Sequence, residues 1–294
     1  MKLLTKPVTV IAPGKINLFL NILGKRRDGY HDIQTLFQLI DTGDQITFEV
    51  TTENQVLLTD NLVGVRSEDN LILKSAQLLK KTANVRNGCH IDLKKLLPLG
   101  AGLGGGSSDA ATTLLVLNKL WGCNLNTDHL AMLGGSLGAD IPVFIYGQSA
   151  LGEGIGDKLT QFHISKKWYL IITPPVEVSS HQIFSHPQLT RNSPPIKMTA
   201  LLRERDIKPI LMKNDCQALV EKMFAEVNEV VRWIKSHGEP LLTGTGSSVF
   251  CSFHDRRKAE KVLEKVPSKW SAFVAEGINN SPVHYQLGKL NIGA

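Results

Sequence analysis

One stretch restricts this chain more than any other: Pro98-Leu99-Gly100-Ala101-Gly102-Leu103-Gly104-Gly105-Gly106-Ser107-Ser108-Asp109. Five glycines fall within the seven residues 100–106. Removing that many Cβ atoms lets the backbone turn sharply and brings its N–H groups close to whatever lies against it. A long apolar segment, Ala110 to Trp121, follows, with Ser107-Ser108-Asp109 as its helix-start signal. A glycine nest that leads into a helix N-terminus attracts phosphate. The expectation is a site for a nucleotide or a phosphorylated metabolite. The competing reading, a glycine-rich turn without a ligand, leaves unexplained why a fold would tolerate so many flexible positions in one place.

Composition narrows the class. The chain has 294 residues, 42% hydrophobic and 20% charged, with a net charge of +6. That length holds one large domain or two of ordinary size. The basic residues are scattered and do not interleave with aromatics, so no nucleic-acid partner is expected. Cys89, Cys123, Cys216 and Cys251 lie far apart and form no CxxC pair. This argues against a zinc site and against a disulfide framework, and fits a reduced, cytoplasmic compartment. The N-terminal residues show no secretory leader pattern, and no stretch reaches the ~18 apolar residues of a membrane span. No membrane partner is expected.

The periodicity mixes strands and helices without strict alternation, which predicts an α+β fold. Val8 to Ala12 and Ile16 to Leu23 read as two strands parted by a Pro13-Gly14-Lys15 turn, with Ile16, Leu18, Leu20 and Ile22 on one face. Further strands are predicted over Leu36 to Ile40, Gln45 to Val50, Cys89 to Leu93, Trp168 to Ile172, Val249 to Phe253 and Ala272 to Ala275. Arg26 to His31 is a polar turn with Asp28-Gly29 as a hairpin signal. Helices are predicted over Asn70 to Lys81, Ser108 to Leu120, Thr127 to Leu137 (with Thr127 as N-cap), Ala218 to Lys235 and Arg256 to Lys265. Gly152 to Asp157 is a flexible turn and the candidate boundary between units at 1–157 and 158–294.

Three kinds of phosphate loop compete for the glycine run. Gly100-x-Gly102-x-x-Gly105 matches a dinucleotide fingerprint formally, but no strand follows to carry the ribose-binding acid. A Walker A loop needs a Lys after its glycines, and none stands there. Protein kinases need HRD and DFG strings, and neither occurs.

What remains is a resemblance. Pro98-x-Gly100-x-Gly102-Leu103-Gly104-Gly105-Gly106-Ser107-Ser108 is similar to the phosphate-loop signature of the GHMP kinases, which include galactokinase, homoserine kinase, mevalonate kinase and phosphomevalonate kinase. Ala12-Pro13-Gly14-Lys15-Ile16-Asn17-Leu18 resembles the N-terminal motif of that superfamily. Leu242-Thr243-Gly244-Thr245-Gly246-Ser247-Ser248-Val249-Phe250 resembles its C-terminal glycine motif. Within it, Arg27-Asp28-Gly29-Tyr30-His31, Leu36-Phe37-Gln38, Glu68-Asp69-Asn70-Leu71 and Leu137-Gly138-Ala139-Asp140-Ile141-Pro142-Val143-Phe144 resemble the branch that acts on a cytidyl diphosphate. The resemblance runs from about Ala12 to Asn279.

It implies a two-domain GHMP kinase fold: an N-terminal ATP-binding domain like domain 2 of ribosomal protein S5, and a C-terminal ferredoxin-like α/β plait. It implies ATP and Mg²⁺ as cofactors, and phosphorylation of the 2-hydroxyl of a methylerythritol unit carried on a cytidyl diphosphate, in non-mevalonate isoprenoid synthesis. A small-molecule substrate and a monomer or weak homodimer go with this. The alternatives are a mevalonate- or homoserine-type kinase and a non-catalytic ligand-binding relative. An alcohol needs a group to take its proton and an electrostatic clamp for the moving phosphoryl group. The resemblance makes Asp140 and Lys15 the catalytic pair, with Lys15 keeping the carboxylate ionised, lowering the pKa of the hydroxyl or steadying phosphate charge. It assigns Pro98 to Ser108 to the ATP phosphates, Asn70 to the nucleotide, and Tyr30, His31 and Phe184 to the cytosine. Asn17, two residues from Lys15 on an alternating strand, points with it into the site, to contact the substrate or support Asp140. No protein ligand for the metal is identified. Ser179-Ser180-His181-Gln182 departs from the family pattern, where Thr and Pro are common.

Overall fold

The computed structural model describes residues 6–59, 67–197 and 212–289. Its strands are β1 (Val8–Lys25), β2 (His31–Thr51), β3 (Val56–Leu58), β4 (Gly88–Lys94), β5 (Ala150–Glu153), β6 (Lys158–Gln161), β7 (Trp168–Thr173), β8 (Leu241–Leu242), β9 (Val249–Phe253) and β10 (Ser271–Ile278). Its helices, with labels confined to the described residues, are α1 (Leu71–Thr82), α2 (Gly105–Leu120), α3 (Thr127–Gly135), α4 (Ile141–Tyr146), α5 (Ser180–Ser185), α6 (Gln217–Met223), α7 (Ala225–Ile234), α8 (Arg256–Leu263) and α9 (Pro282–Gly288). No helix among the described residues is long and apolar enough to cross a membrane.

One long hairpin organises the molecule. β1 and β2 run antiparallel from Val8↔Phe48 to Lys25↔His31, and the Arg26 to Tyr30 turn closes them. The two strands predicted around Pro13-Gly14-Lys15 are therefore one strand. The irregularity the Pro-Gly pair signals is a register shift between Pro13 and Lys15, not a chain reversal. It frees the Lys15 N–H from the ladder, and that group donates to Leu103 O at 2.9 Å instead. A second shift between Asn17 and Leu20 redistributes the side chains: Ile16, Leu18 and Phe19 join one core cluster, Leu20 and Ile22 another. The single apolar face expected for Ile16 to Ile22 does not survive it. The two strands predicted inside residues 36–50 are likewise both parts of β2.

β2 pairs with β4, with β5 and, through Leu39 and Ile40, with β10. β10 continues through β7 and β9 to β8, so one sheet runs through the whole molecule. Helices α1 to α4 cover an N-terminal core that includes Val10, Phe48, Ile91, Leu114 and Val143. A C-terminal core lies around Leu170, Val220, Val231 and Val249. A third cluster, with Ile16, Leu18, Leu103, Tyr169 and Phe250, fills the junction. The α+β expectation holds. The Gly152 to Asp157 turn is the tip of the β5–β6 hairpin.

Helix ends differ from the sequence reading in instructive ways. α2 starts at Gly105 with left-handed Gly104 (φ 70°) at its N-cap and no side-chain cap, so Ser107 and Ser108 lie inside the first turn. α3 is capped by Asn126, whose Oδ1 accepts from His129 N at 2.9 Å, rather than by Thr127. The helix predicted over Ala218 to Lys235 is two, α6 and α7, parted at extended Phe224 (φ −125°, ψ 103°). Leu219, Val220, Val227, Val231 and Ile234 keep helical spacing across the break. Periodicity therefore hides it. All four cysteines are free thiols, and Cys89, Cys216 and Cys251 are buried.

The glycine run is anchored from below by a buried ion cluster. Lys95 Nζ bridges the carboxylates of Asp44 and Asp109, the second at 2.9 Å. Asp44 Oδ1 accepts from Leu96 N and Leu97 N at 2.7 and 2.9 Å, which fixes the chain as it enters the loop. Burial, helped by the neighbouring Asp44 charge and opposed by Lys95, pushes the Asp109 carboxyl up to about 7. Burial alone would lower Lys95, but the pull of Asp109 and Asp44 outweighs it and raises the ammonium. Removing one partner of such a cluster leaves uncompensated charge in the interior. Lys95→Met is expected to lower unfolding free energy by about 3–5 kcal/mol in urea titration. A loss under about 1 kcal/mol would mean the cluster does not anchor the loop.

Candidate active site

The site grows from the register shift at Gly14. With its N–H tied to Leu103 O, Lys15 turns its side chain into the space between the hairpin and the glycine run. The residue is 3% exposed. Its ammonium donates to Asn17 Oδ1 at 2.8 Å and Gly102 O at 3.0 Å, and stands 3.3 Å from Asp140 Oδ2. It also lies 5.7 Å from the centre of the Phe37 ring. A cation this buried needs partners of this kind to remain charged. Asp140 sits at the N-terminal edge of α4 without capping it, and its carboxylate is partly exposed to the cavity.

Asn17 is the joint between the two halves. Its Oδ1 accepts from Lys15 Nζ, from Gly244 N at 2.9 Å and from Thr243 Oγ1 at 3.3 Å. Its Nδ2 donates to Thr35 Oγ1 at 2.8 Å. Its Oδ1 is taken up by three protein donors, so it holds Lys15 in place. Thr243 also donates to Gly102 O at 3.0 Å, and Ser248 N donates to Ala101 O at 3.2 Å. The second glycine loop, Gly244 to Ser248, therefore packs directly on the first. Sequence reasoning had no spacing rule that could have joined Thr35 or Thr243 to Lys15.

The glycine run needs its glycines for two physical reasons. Gly100, Gly102 and Gly104 have φ of 60°, 78° and 70°. A Cβ on Gly102 would also lie 2.1 Å from Thr243 O. Gly102, Gly104 and Ser107 line the cavity. Ser108 is buried, and its Oγ has no protein partner. The first turn of α2 leaves its N–H groups without intrahelical acceptors. Pro98, Leu99, Gly100, Ala101, Leu103, Gly105 and Gly106 are not among the cavity-lining residues, and Leu99 is exposed. Asn70 is apart from it too: it caps α1, accepting from Ile72 N and Leu73 N.

The cavity, of about 680 Å³, extends from the loop to the β1–β2 turn. At that far end lie Tyr30, 59% exposed, and His31, buried. Phe184 of α5 stands against the His31 ring, centroids 5.3 Å apart and planes tilted by 34°. Ser180 Oγ and Thr245 Oγ1 lie 2.7 Å apart and tie α5 to the second glycine loop. Arg191, which no motif singled out, donates from Nε to His31 Nε2 at 3.0 Å and from Nη2 to Phe184 O and His186 O at 3.0 and 2.7 Å. Burial, then the charges of Arg191 and Lys25, lower the His31 pKa from its ordinary value.

The fold and this cavity define a GHMP-type small-molecule kinase. The family model described as the GHMP kinases N terminal domain matches residues 70–148, and the GHMP kinases C terminal model matches residues 198–272. The 4-diphosphocytidyl-2-C-methyl-D-erythritol kinase of Pasteurella multocida (strain Pm70) is 42% identical over 286 residues, covering 97% of this chain and 95% of that one. Its namesake from Marinomonas sp. (strain MWYL1) is 46% identical over 281 residues, 95% of this chain and 90% of that one. A crystal structure of 4-(cytidine 5'-diphospho)-2C-methyl-D-erythritol kinase superposes with a TM-score of 0.81 at 28% identity, covering 92% of this chain and 100% of that one. The Methanococcus jannaschii mevalonate kinase shares the fold alone, with a TM-score of 0.68 at 16% identity over 94% of this chain and 100% of that one. The chain belongs to the 4-diphosphocytidyl-2-C-methyl-D-erythritol kinase family.

The close approach of the two glycine loops gives a direct test. Gly102→Ala must both hold a left-handed backbone and push Thr243 away. We expect a loss of about 2 kcal/mol or more in stability and a KM for ATP raised at least ~10-fold, read by thermal melting and steady-state kinetics. Wild-type values for both would remove the loop contact from the account.

Proposed function

We propose that this chain transfers the γ-phosphoryl group of ATP to the 2-hydroxyl of 4-diphosphocytidyl-2-C-methyl-D-erythritol, giving the 2-phosphate and ADP. The observation that carries the reading is the position of the Lys15–Asp140 pair. It lies beside the glycine loop in a cavity that also reaches the Tyr30–His31 turn, so ATP held at the loop and cytosine held at the turn would bring the γ-phosphate and the methylerythritol hydroxyl together at Asp140. Asp140 takes the proton of the attacking hydroxyl as the new P–O bond forms. Lys15, held by Asn17 and Gly102 O, steadies the Asp140 carboxylate and the charge on the moving phosphoryl group.

The phosphates of ATP would rest against Gly102, Gly104 and Ser107 at the N-terminus of α2. Pro98 to Ser108 shape that cradle. The hydroxyls of Ser107 and Ser108, the latter without a protein partner, are the side-chain oxygens that would hold a Mg²⁺ ion carried on the nucleotide, which would supply neutralisation of the phosphate charge. Tyr30, His31 and Phe184 hold the cytosine, and Asn17 keeps Lys15 in position. Asn70 supports the nucleotide side through α1. The division at 1–157 and 158–294, which falls at the tip of the β5–β6 hairpin, assigns the phosphate loop to the first unit and the second glycine loop to the other.

Asp140→Asn and Lys15→Met are each expected to lower kcat by about 10²- to 10⁴-fold while changing the KM for ATP by less than ~3-fold. Near-normal turnover in either folded variant removes that residue from the chemistry. CDP is expected to compete with the alcohol substrate. Failure of CDP to compete, together with phosphorylation of mevalonate, would overturn the cytidyl assignment.

A further inference from the structure

His31 sits where a pyrimidine would be read, and its usefulness there depends on which ring nitrogen carries the proton. That choice is normally open. Here one neighbour closes it. Arg191 Nε lies 3.0 Å from His31 Nε2. A guanidinium has five N–H donors, no acceptor, and keeps its proton at every physiological pH. Nε2 must therefore offer its lone pair, and the ring proton must sit on Nδ1. Among the described residues, no group accepts a hydrogen bond from Nδ1.

The guanidinium is itself fixed by three backbone carbonyls. Nη1 donates to Leu189 O at 3.2 Å, and Nη2 donates to Phe184 O and His186 O. These carbonyls lie at the end of α5 and in the turn beyond it, so the same side chain seats Phe184 against the His31 ring. The other charged or titratable groups around this end of the cavity are Lys25, Asp28, Tyr30 and His181. Lys25 adds to Arg191 in disfavouring a proton on Nε2.

We propose that Arg191 is the positioning residue that sets base selectivity: by donating to His31 Nε2 it locks His31 as the neutral Nδ1–H tautomer, a hydrogen-bond donor toward the pyrimidine. The inference rests on the cytidyl reading above and extends it to a residue outside the cavity's lining. Cytosine N3 carries a lone pair and accepts such a bond. Uracil N3 carries a hydrogen and does not. The opposite tautomer would turn Nδ1 into an acceptor and reverse the preference. Arg191 thus acts on the base without touching it, by deciding the sign of the His31 contact.

The test combines a spectrum and an affinity ratio. Two-dimensional ¹⁵N–¹H spectra of ¹⁵N-histidine-labelled enzyme, with His31 assigned by His31→Gln, are expected to show Nδ1–H and a bare Nε2 from pH 5.5 to 8. Calorimetry with CDP and UDP on wild type and Arg191→Met is expected to show the CDP-over-UDP preference falling about tenfold in the variant. An Nε2–H tautomer in the wild type, or His31 titrating as an ordinary imidazole, overturns the proposal, and this arm needs no variant to fold. Equal proportional losses for CDP and UDP in Arg191→Met also overturn it, because they report a loosened α5 rather than a lost tautomer. If wild type itself fails to prefer CDP, the cytidyl reading fails, and the spectrum still decides the tautomer.

Discussion

The burial of one ammonium group organises this molecule. Lys15 is almost wholly removed from water. An unpaired charge there would cost several kcal/mol even after relaxation. It is kept charged by Asn17 Oδ1, Gly102 O and Asp140, contributed by the first strand, the glycine loop and the entry to α4. Each partner is fixed in turn: Asn17 by Thr35, Thr243 and Gly244, and Gly102 by the close packing of Thr243 above it. Elements distant in sequence thus converge on one nitrogen.

The topology makes that convergence affordable in backbone terms. A register shift at Gly14 takes the Lys15 N–H out of the ladder and gives it to Leu103 O, so the loop is stitched to β1 at Lys15 itself. Beneath the loop, Asp44 and Lys95 fix its entry through Leu96 and Leu97. Above it, the second glycine loop closes on Ala101 and Gly102. Because β10 bonds to β2, the sheet that carries the second loop is continuous with the one that carries Lys15. The cradle is held on three sides and open on the fourth, where Ser107 and Gly104 face the cavity.

Much of this is legible in the residues because local chemistry dictates it. The glycine run, the buried helix after it, the Asp28-Gly29 hairpin and the β9 strand follow from spacing and turn residues alone. Motif resemblance added Lys15 and Asp140, and the structure brings those two within 3.3 Å. What the sequence concealed has a common cause. The strand break expected at Pro13-Gly14 is a bulge, because pairing with β2 on both sides overrides the turn signal. The break in the helix at Phe224 leaves the apolar period intact, so no pattern reveals it. Ser107 and Ser108 look like a cap, yet left-handed Gly104 takes that place and moves the serines into the first turn. The bonds by which Arg191 reaches His31, Thr243 reaches Asn17 and Lys95 reaches Asp109 span 14 to 226 positions. Only tertiary packing shows such contacts.

The reaction proposed for this cavity moves a phosphoryl group from ATP to the alcohol of a cytidyl diphosphate. Phosphorus NMR of the purified chain incubated with Mg²⁺-ATP and 4-diphosphocytidyl-2-C-methyl-D-erythritol tests it most directly. A new phosphomonoester resonance is expected to grow in step with ADP, with the cytidyl diphosphate signals retained. Release of inorganic phosphate without that resonance, or no turnover at all, would contradict it.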